Sequence, residues 1–446
     1  MFPTSPPQRY AVAPGHLWDD GEFARERAIV VDGEQIDWVG AVTDLPSDLP
    51  VYAAADTALL PAFVDAHHHL SQSLGAPFAF GEPSEVFQRV WIPLEGALTE
   101  DELATSARHA AWQSQRGGFA TVADAGSRSG HDLEVVAEVA RAAGLRIVLG
   151  LICHDRGPAA QDSATVLAAA ERHLARFETD PWVRPSLAVA VPELATDATL
   201  KALAGLCEDA GAVLQVHLNE HLASVERSLL STGRRPLEHL SAAGAVGPWL
   251  LAAHATMLTT TERRILADSG AAWSYNPIAS MWKGNAVADA LALQTAGART
   301  ALGTDGTRSD GFRLMEAAES AYRLGYAMAA GDPFAGCGRT WLTAATGGGA
   351  DAVGVADVTG SIRPGFAADF LLVDVRTPEL IPAVDLAWQL VRSGHQHLVR
   401  AVVTGGRPRV VDGQPTWARG ADLLDEAESA SRAVSQRAGL SPRRPV

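Results

Sequence analysis

Eight short apolar runs recur between residues 58 and 304, each parted from the next by a longer amphipathic stretch, and this alternation limits the fold more than any other feature. The runs are ALLPAFV (58–64), FATVAD (119–124), LRIVLGLI (145–152), SLAVAV (186–191), AVLQVH (212–217), WLLAAH (249–254), AAWSY (271–275) and RTALGT (299–304). Strands buried on both faces read as unbroken apolar segments, and parallel strands need a crossover between them, so the pattern predicts βα units around a parallel sheet. Eight units over residues 59–357 predict an α/β fold of the (β/α)8 TIM-barrel type. A doubly wound open sheet is the alternative, because periodicity does not say whether a sheet closes. Thr99 with Glu102 and Thr259 with Glu262 have the spacing of capping boxes and mark two helix starts.

The ends of the chain read differently. Residues 1–58 and 358–420 carry short β-type runs broken by Asp-Gly and Gly-Gly turns, which predicts one small β-sandwich assembled from both. Residues 421–446, rich in Ala, Glu and Arg before PRRPV, predict a surface helix with a frayed tail.

Composition narrows the function. No segment approaches the roughly 18 unbroken apolar residues of a membrane helix, and a formal net charge of -16 disfavours phosphate backbones and anionic membranes. The expected partner is a small-molecule substrate, with no nucleic acid and no membrane. Three scattered cysteines make no disulfide framework, and MFPTSPPQRY lacks the pattern of a secretory leader, so the expected location is cytoplasmic.

Side chains at the C-terminal ends of barrel strands share one mouth. The first run leads into DAHHHL, where His67 and His69 share a face and His68 takes the other. The fifth run ends in His217, the sixth in His254, and the eighth is followed by Asp305. A second HxH, His395 and His397, precedes a sandwich run without partners and reads as two polar residues on the surface. Three histidines with Asp305 make a donor set for one divalent ion, zinc first and iron second, with a position left for water. Such an ion lowers the pKa of its water from about 15.7 towards about 7. Glu220, three residues after His217, can exchange protons in the mouth without displacing a ligand, and His254 can orient the water. His154, His221 and the loop from Gln72 to Leu98, with Phe78, Phe80, Phe87 and Trp91, offer contacts to a flat ring; packing on the barrel top is their structural alternative. GSRSG (126–130) fails the serine-hydrolase pattern at Arg128, and ATGGGAD (345–351) lacks the Lys and Ser/Thr of a phosphate loop and reads as helix packing.

LLPAFVDAHHH, VHLNE, AAH, LGTDG and TGSIRPGFAADFLLVD together resemble the amidohydrolase superfamily over nearly the whole chain. The branch they resemble is the mononuclear one of guanine, cytosine and adenosine-type deaminases and triazine hydrolases. That resemblance implies His67, His69, His217 and Asp305 as metal ligands, Glu220, His254 and Asp305 as the catalytic set, and a homo-oligomer. Binuclear branches need a lysine at the end of strand four, but AVAVPEL has none, and Lys201 and Lys283 lie elsewhere. Glu193 in that stretch is either a substitute bridge to a second metal or a polar rim residue. The segment that follows strand seven lines the substrate pocket in the family, which puts Asn276 beside Gln72, Trp91 and His154 as an expected substrate contact. It reads YNPIAS where relatives commonly read HNPxSN, so substrate preference does not transfer. The implied activity is hydrolytic release of ammonia from an aminated N-heterocycle such as a purine, pterin or triazine. Loss of halide or opening of a cyclic amide is the alternative outcome of the same attack. A non-catalytic binding relative is disfavoured by the complete ligand set.

Overall fold

The computed structural model describes residues 2–19, 21–82, 86–157, 160–328 and 331–442. Its terminal segments form one mixed sheet from β1 (Arg9–Asp19), β2 (Glu22–Ala24), β3 (Arg27–Asp32), β4 (Gln35–Ala41) and β5 (Val51–Pro61). The barrel strands follow: β6 (Phe63–His68), β7 (Phe119–Asp124), β8 (Arg146–Ile152), β9 (Val183–Val189), β10 (Leu214–Leu218), β11 (Leu250–His254), β12 (Ala272–Tyr275) and β13 (Arg299–Leu302). The chain then returns to the terminal sheet through β14 (Phe370–Asp374), β15 (Val399–Thr404), β16 (Arg407–Val411) and β17 (Gln414–Pro415).

Strands β6 to β13 pair in sequence order and every pair is parallel, with no reversal of strand order, which decides for a barrel over a doubly wound sheet. The seam between β13 and β6 is closed by loop and side-chain bonds. Asp305 N donates to His67 O at 2.8 Å, while Thr304 donates its N (2.9 Å) and Oγ1 (2.5 Å) to the two carboxylate oxygens of Asp65. Closure and site therefore share residues.

The run ALLPAFV is divided between the two sheets, which corrects its reading as one strand. Ala62 N still donates to Asp369 O beside β14, whereas Phe63 N donates to Gly118 O ahead of β7. Both sheets are buried there, so the apolar run carries no mark of the crossing. The terminal strands lie in the order β17-β16-β15-β14-β5-β1-β3-β4, with β2 on β1: a single hydrogen-bonded sheet whose Gln35–Ala367 bridge curls it over an apolar face of Tyr10, Ile29, Ile36 and Phe370. Arg146, at the start of β8, forks onto Asp369 (2.7 and 3.4 Å) and ties the barrel floor to this sheet.

Both capping boxes form, at Thr99 with Glu102 and Thr259 with Glu262. ATGGGAD falls on the helices Gly338–Ala345 and Gly347–Ala352, where a Cβ on Gly349 would stand 2.9 Å from Val64 Cβ; the glycine lets the helix lie directly on β6. The C-terminal helix Gly420–Arg437 packs along Glu100–Arg116, and its Ser431 donates to Leu74 O at 2.7 Å, bracing the loop after β6. Residues 443–446 of the expected tail and 83–85 of the aromatic loop lie outside the described residues. Among the described residues no helix is long and apolar enough to cross a membrane.

Candidate metal centre and pocket

Strand ends carry the site because alternation forces it. At the end of β6 the imidazoles of His67 and of His69, the residue just past the strand, turn to one side, and His68 turns to the other, where its Nε2 lies 3.4 Å from Ser309 Oγ. His217 leaves β10 and Asp305 follows β13. One ligand atom from each of His67, His69, His217 and Asp305 lies within 4.8 Å of the other three, close enough for all four to bind one ion. Oδ1 of Asp305 is 3.4 Å from Nε2 of both His67 and His69, and Nε2 of His217 is 3.3 Å from that of His69.

The donor set fits a cation. Nε2 of His67 is buried without a hydrogen-bond partner among the described residues, a costly state for an imidazole unless an ion takes its lone pair. Burial lowers the pKa of His69, and lowers that of His217 well below the ordinary histidine value, neighbouring histidines adding to both. Both are thereby kept in the neutral form a metal requires. Asp305 is pushed down instead; burial opposes its charge but the Lys283 ammonium and the two imidazoles outweigh it.

The backbone is bent to make this arrangement. Asn219, His254, Ala255 and Asp305 all adopt left-handed φ, at 48°, 69°, 45° and 55°. Such conformations cost about 1–3 kcal/mol each and persist where the surroundings over-determine them. Asn219 is held from both ends, its Oδ1 accepting from Leu237 N (3.3 Å) and its Nδ2 donating to Glu262 Oε1 (2.7 Å). The next residue, Glu220, is thus aimed into the mouth. Gly303 makes room on the opposite side: a Cβ there would meet Ser274 Oγ at 2.5 Å and His67 Cβ at 2.9 Å.

Glu220 Oε2 lies 4.0 Å from His254 Nε2, and Oε1 accepts from Lys283 Nζ (2.8 Å) and Asn285 Nδ2 (3.3 Å). Burial works against its charge, but His254 and Lys283 hold it below the usual glutamate range. Lys283 also donates to Asp305 Oδ2 at 2.7 Å, and these two carboxylates raise its pKa against the effect of burial. His254 is lowered to about 4, chiefly by burial. Behind it lies Asn276. The amide orientation that gives its nitrogen Ser274 Oγ at 2.7 Å and the Ser274 and Tyr275 carbonyls at 3.3 Å turns its oxygen to His254 Nδ1. That fixes the proton on Nδ1 and leaves Nε2 as an acceptor facing Glu220.

The pocket above is lined by Gln72, Phe87, Trp91, Arg128, Glu193, His221, Ser224 and Arg227, with His69, His217, Glu220, Lys283 and Asp305 at its base. Of the expected substrate contacts, Gln72 and Trp91 reach it. Asn276 does not: it is fully buried behind His254, since the helix Pro277–Lys283 starts there and faces its first turn inward. His154 is likewise absent from the lining, because its Nε2 accepts Ala190 N (3.1 Å) at the end of β9. Phe87 and Trp91 join the wall while Phe80 meets Trp282 edge to face outside it. Glu193 lines the wall and belongs to no candidate metal cluster among the described residues. His397 is exposed in the short turn Gln396–Leu398, where its ring lies 5.8 Å from that of His395.

Sequence reasoning missed Lys283, Asn285, Arg128 and Arg227. The one available signal was rarity: the chain has two lysines against 34 arginines, so a lysine kept beside the strand-seven end asks for a reason. Arg128 sits in the rejected GSRSG segment, with Nη1 2.7 Å from Glu95 Oε2 and its guanidinium 4.5 Å above the Phe87 ring.

Residues 58–411 match the model of the amidohydrolase family, and the chain belongs to that family. It is 30% identical over 397 residues to a 5-methylthioadenosine/S-adenosylhomocysteine deaminase of Syntrophobacter fumaroxidans, covering 87% of this chain and 89% of the relative. A 5'-deoxyadenosine deaminase of Methanosarcina mazei is 26% identical over 94% of this chain and 96% of its own length. Among solved structures, an adenosine deaminase from Xanthomonas campestris with bound zinc superposes with a TM-score of 0.88 at 26% identity, covering 97% of this chain and all of that one. An atrazine chlorohydrolase from Arthrobacter aurescens shares the fold, with a TM-score of 0.82 at 20% identity over 95% of this chain and all of its own.

Proposed function

We propose that this chain is a metal-dependent hydrolytic deaminase that releases ammonia from an aminated N-heterocycle of the adenine-nucleoside class. The carrying observation is the convergence of His67, His69, His217 and Asp305 on one point, with Glu220 and His254 facing each other beside it. The names of the relatives, which deaminate adenosine derivatives, support the substrate class.

The four ligands suit zinc, and the zinc in the Xanthomonas relative supports that choice. An ion held there would supply an activated water and a positive charge opposite the reacting carbon. The remaining work falls to side chains. Glu220, kept as a carboxylate by Lys283 and Asn285, takes a proton from the water and delivers it to the ring nitrogen next to the C–NH2 carbon. Oxygen adds to that carbon as the ring nitrogen is protonated. His254, with Nε2 free to accept, takes the second proton and returns it to the departing amine. Carbon–nitrogen cleavage then leaves a carbonyl and ammonia. Trp91 and Phe87 give the flat ring an apolar wall, and Gln72 a polar edge.

The test is an ammonia-release screen over adenosine, 5'-deoxyadenosine, 5'-methylthioadenosine, guanine, aminopterins and aminotriazines. Turnover of the adenine nucleosides above the others is the expected result. Release from none of them would sink the reading.

A further inference from the structure

Asp305 belongs to two groups of potential metal ligands. One is the four-ligand centre; in the other, single ligand atoms of Glu220, His254 and Asp305 all lie within 4.8 Å of one another. The Asp305 carboxylate serves both, with Oδ1 3.4 Å from Nε2 of His67 and His69 and Oδ2 2.7 Å from Lys283 Nζ. In two-metal sites the ions stand about 3.5–4 Å apart, a separation that the two oxygens of one carboxylate can span. His254 strengthens the second group, because it is fully buried and its Nε2 lacks a hydrogen-bond partner among the described residues. Two carboxylates and an open imidazole nitrogen are a donor set for a divalent cation.

A cation of the chain's own already stands there. Lys283 Nζ donates to Asp305 Oδ2 (2.7 Å) and to Glu220 Oε1 (2.8 Å), bridging the two carboxylates of the group. The end of the helix Pro277–Lys283 delivers it, closed by Gly284 at a left-handed φ of 69° and by Asn285, whose N donates to Ser280 O at 2.8 Å. Lysine presents a compact point charge where arginine presents a planar fork, and this chain uses lysine at only two of its 36 basic positions. Resting on the metal centre proposed above but not on its substrate, we infer that the Lys283 ammonium takes the place of a second divalent ion on Glu220, His254 and Asp305, and so holds the centre to one metal. An ion entering there would meet the ammonium as a like charge at contact distance. With that place filled, Glu220 and His254 stay out of coordination and keep their free atoms for proton transfer.

The experiment counts zinc rather than turnover. Wild type, Lys283→Ala and the double variant Lys283→Ala with Glu220→Gln are brought to equilibrium by dialysis over a range of free zinc, with thermal melts to establish folding. Lys283→Ala should hold one more ion per chain than wild type, and adding Glu220→Gln should remove that gain. Reading the difference between variants cancels zinc held elsewhere on the surface. Where the melt shows Lys283→Ala unfolded, Lys283→Met, which keeps the stem and drops the charge, decides in its place. No gain in the folded variant, or a gain that survives Glu220→Gln, overturns the inference while the deaminase reading stands. A wild type that takes up no zinc overturns the metal centre and the inference together.

Discussion

Lys283 places its ammonium 2.7 Å from Oδ2 of Asp305, the oxygen turned away from the one that sits 3.4 Å from His67 and His69. One carboxylate is thus held from behind by a lysine while its front oxygen is offered to the ligand cluster. The same ammonium steadies Glu220 at 2.8 Å. Lys283→Met should lower kcat/KM by about 10- to 100-fold, the worth of a charge-assisted hydrogen bond at each end of the reacting system. Steady-state ammonia release on metal-saturated protein checks this, and activity within twofold of wild type would remove Lys283 from the account.

Chelation of the purified protein should abolish turnover and lower the melting temperature, because an ion that binds only the folded state stabilises it by mass action. Added zinc should restore both. His217→Ala deletes one of the four ligands and should cost on the order of a thousandfold in kcat, several kcal/mol of transition-state stabilisation. Chelated protein or His217→Ala working at the wild-type rate would remove the metal from the mechanism.

Arg146→Met addresses the floor rather than the mouth. Asp369 is fully buried and accepts from Arg146 and from Gly405 N at 2.8 Å, so removing the guanidinium strands a carboxylate between barrel and terminal sheet. Loss of about 3–5 kcal/mol of unfolding free energy is expected, with kcat per folded molecule unchanged. Denaturant titration beside activity measurement separates the two effects.

His154 should make stability fall in acid. Its pKa is lowered from 6.5 to about 4, first by burial and then by Arg128, and its Nε2 must stay unprotonated to accept Ala190 N. The folded state therefore binds fewer protons than the unfolded one between those values, so this contribution is complete above pH 6.5 and is lost as pH falls towards 4. Between pH 7 and 5 the loss is about 2 kcal/mol. His154→Gln should show a flatter stability profile over that range; parallel profiles would refute the assignment.

The barrel was readable because each strand lies buried on both faces and announces itself as an apolar run, and the ligands were readable because they cap those runs. His67, His69, His217, His254 and Asp305 could be placed in one mouth by counting strand ends alone. Pocket walls follow no such rule. Asn276 lies one residue past a strand end yet turns behind His254, and His154 spends its nitrogen on a neighbouring backbone, outcomes set by local hydrogen bonding rather than by period. Lys283 and Arg227 come from helices that fold over the mouth, where the direction of a long side chain depends on packing between elements distant in sequence. The split of ALLPAFV was hidden for the opposite reason: both sheets demand the same kind of residue.

Strand β5 pairs with β14, and the intervening chain is the entire barrel. At ribosomal speeds of about 5–20 residues per second, the first half of the terminal sheet waits on the order of tens of seconds for its other half to be synthesised. During that interval the apolar side of β1, β3 and β5 has no cover of its own. A chain halted before β14 should accordingly be a strong client of holding chaperones, and tags that slow translation late in the message should cost more soluble protein than those that slow it early.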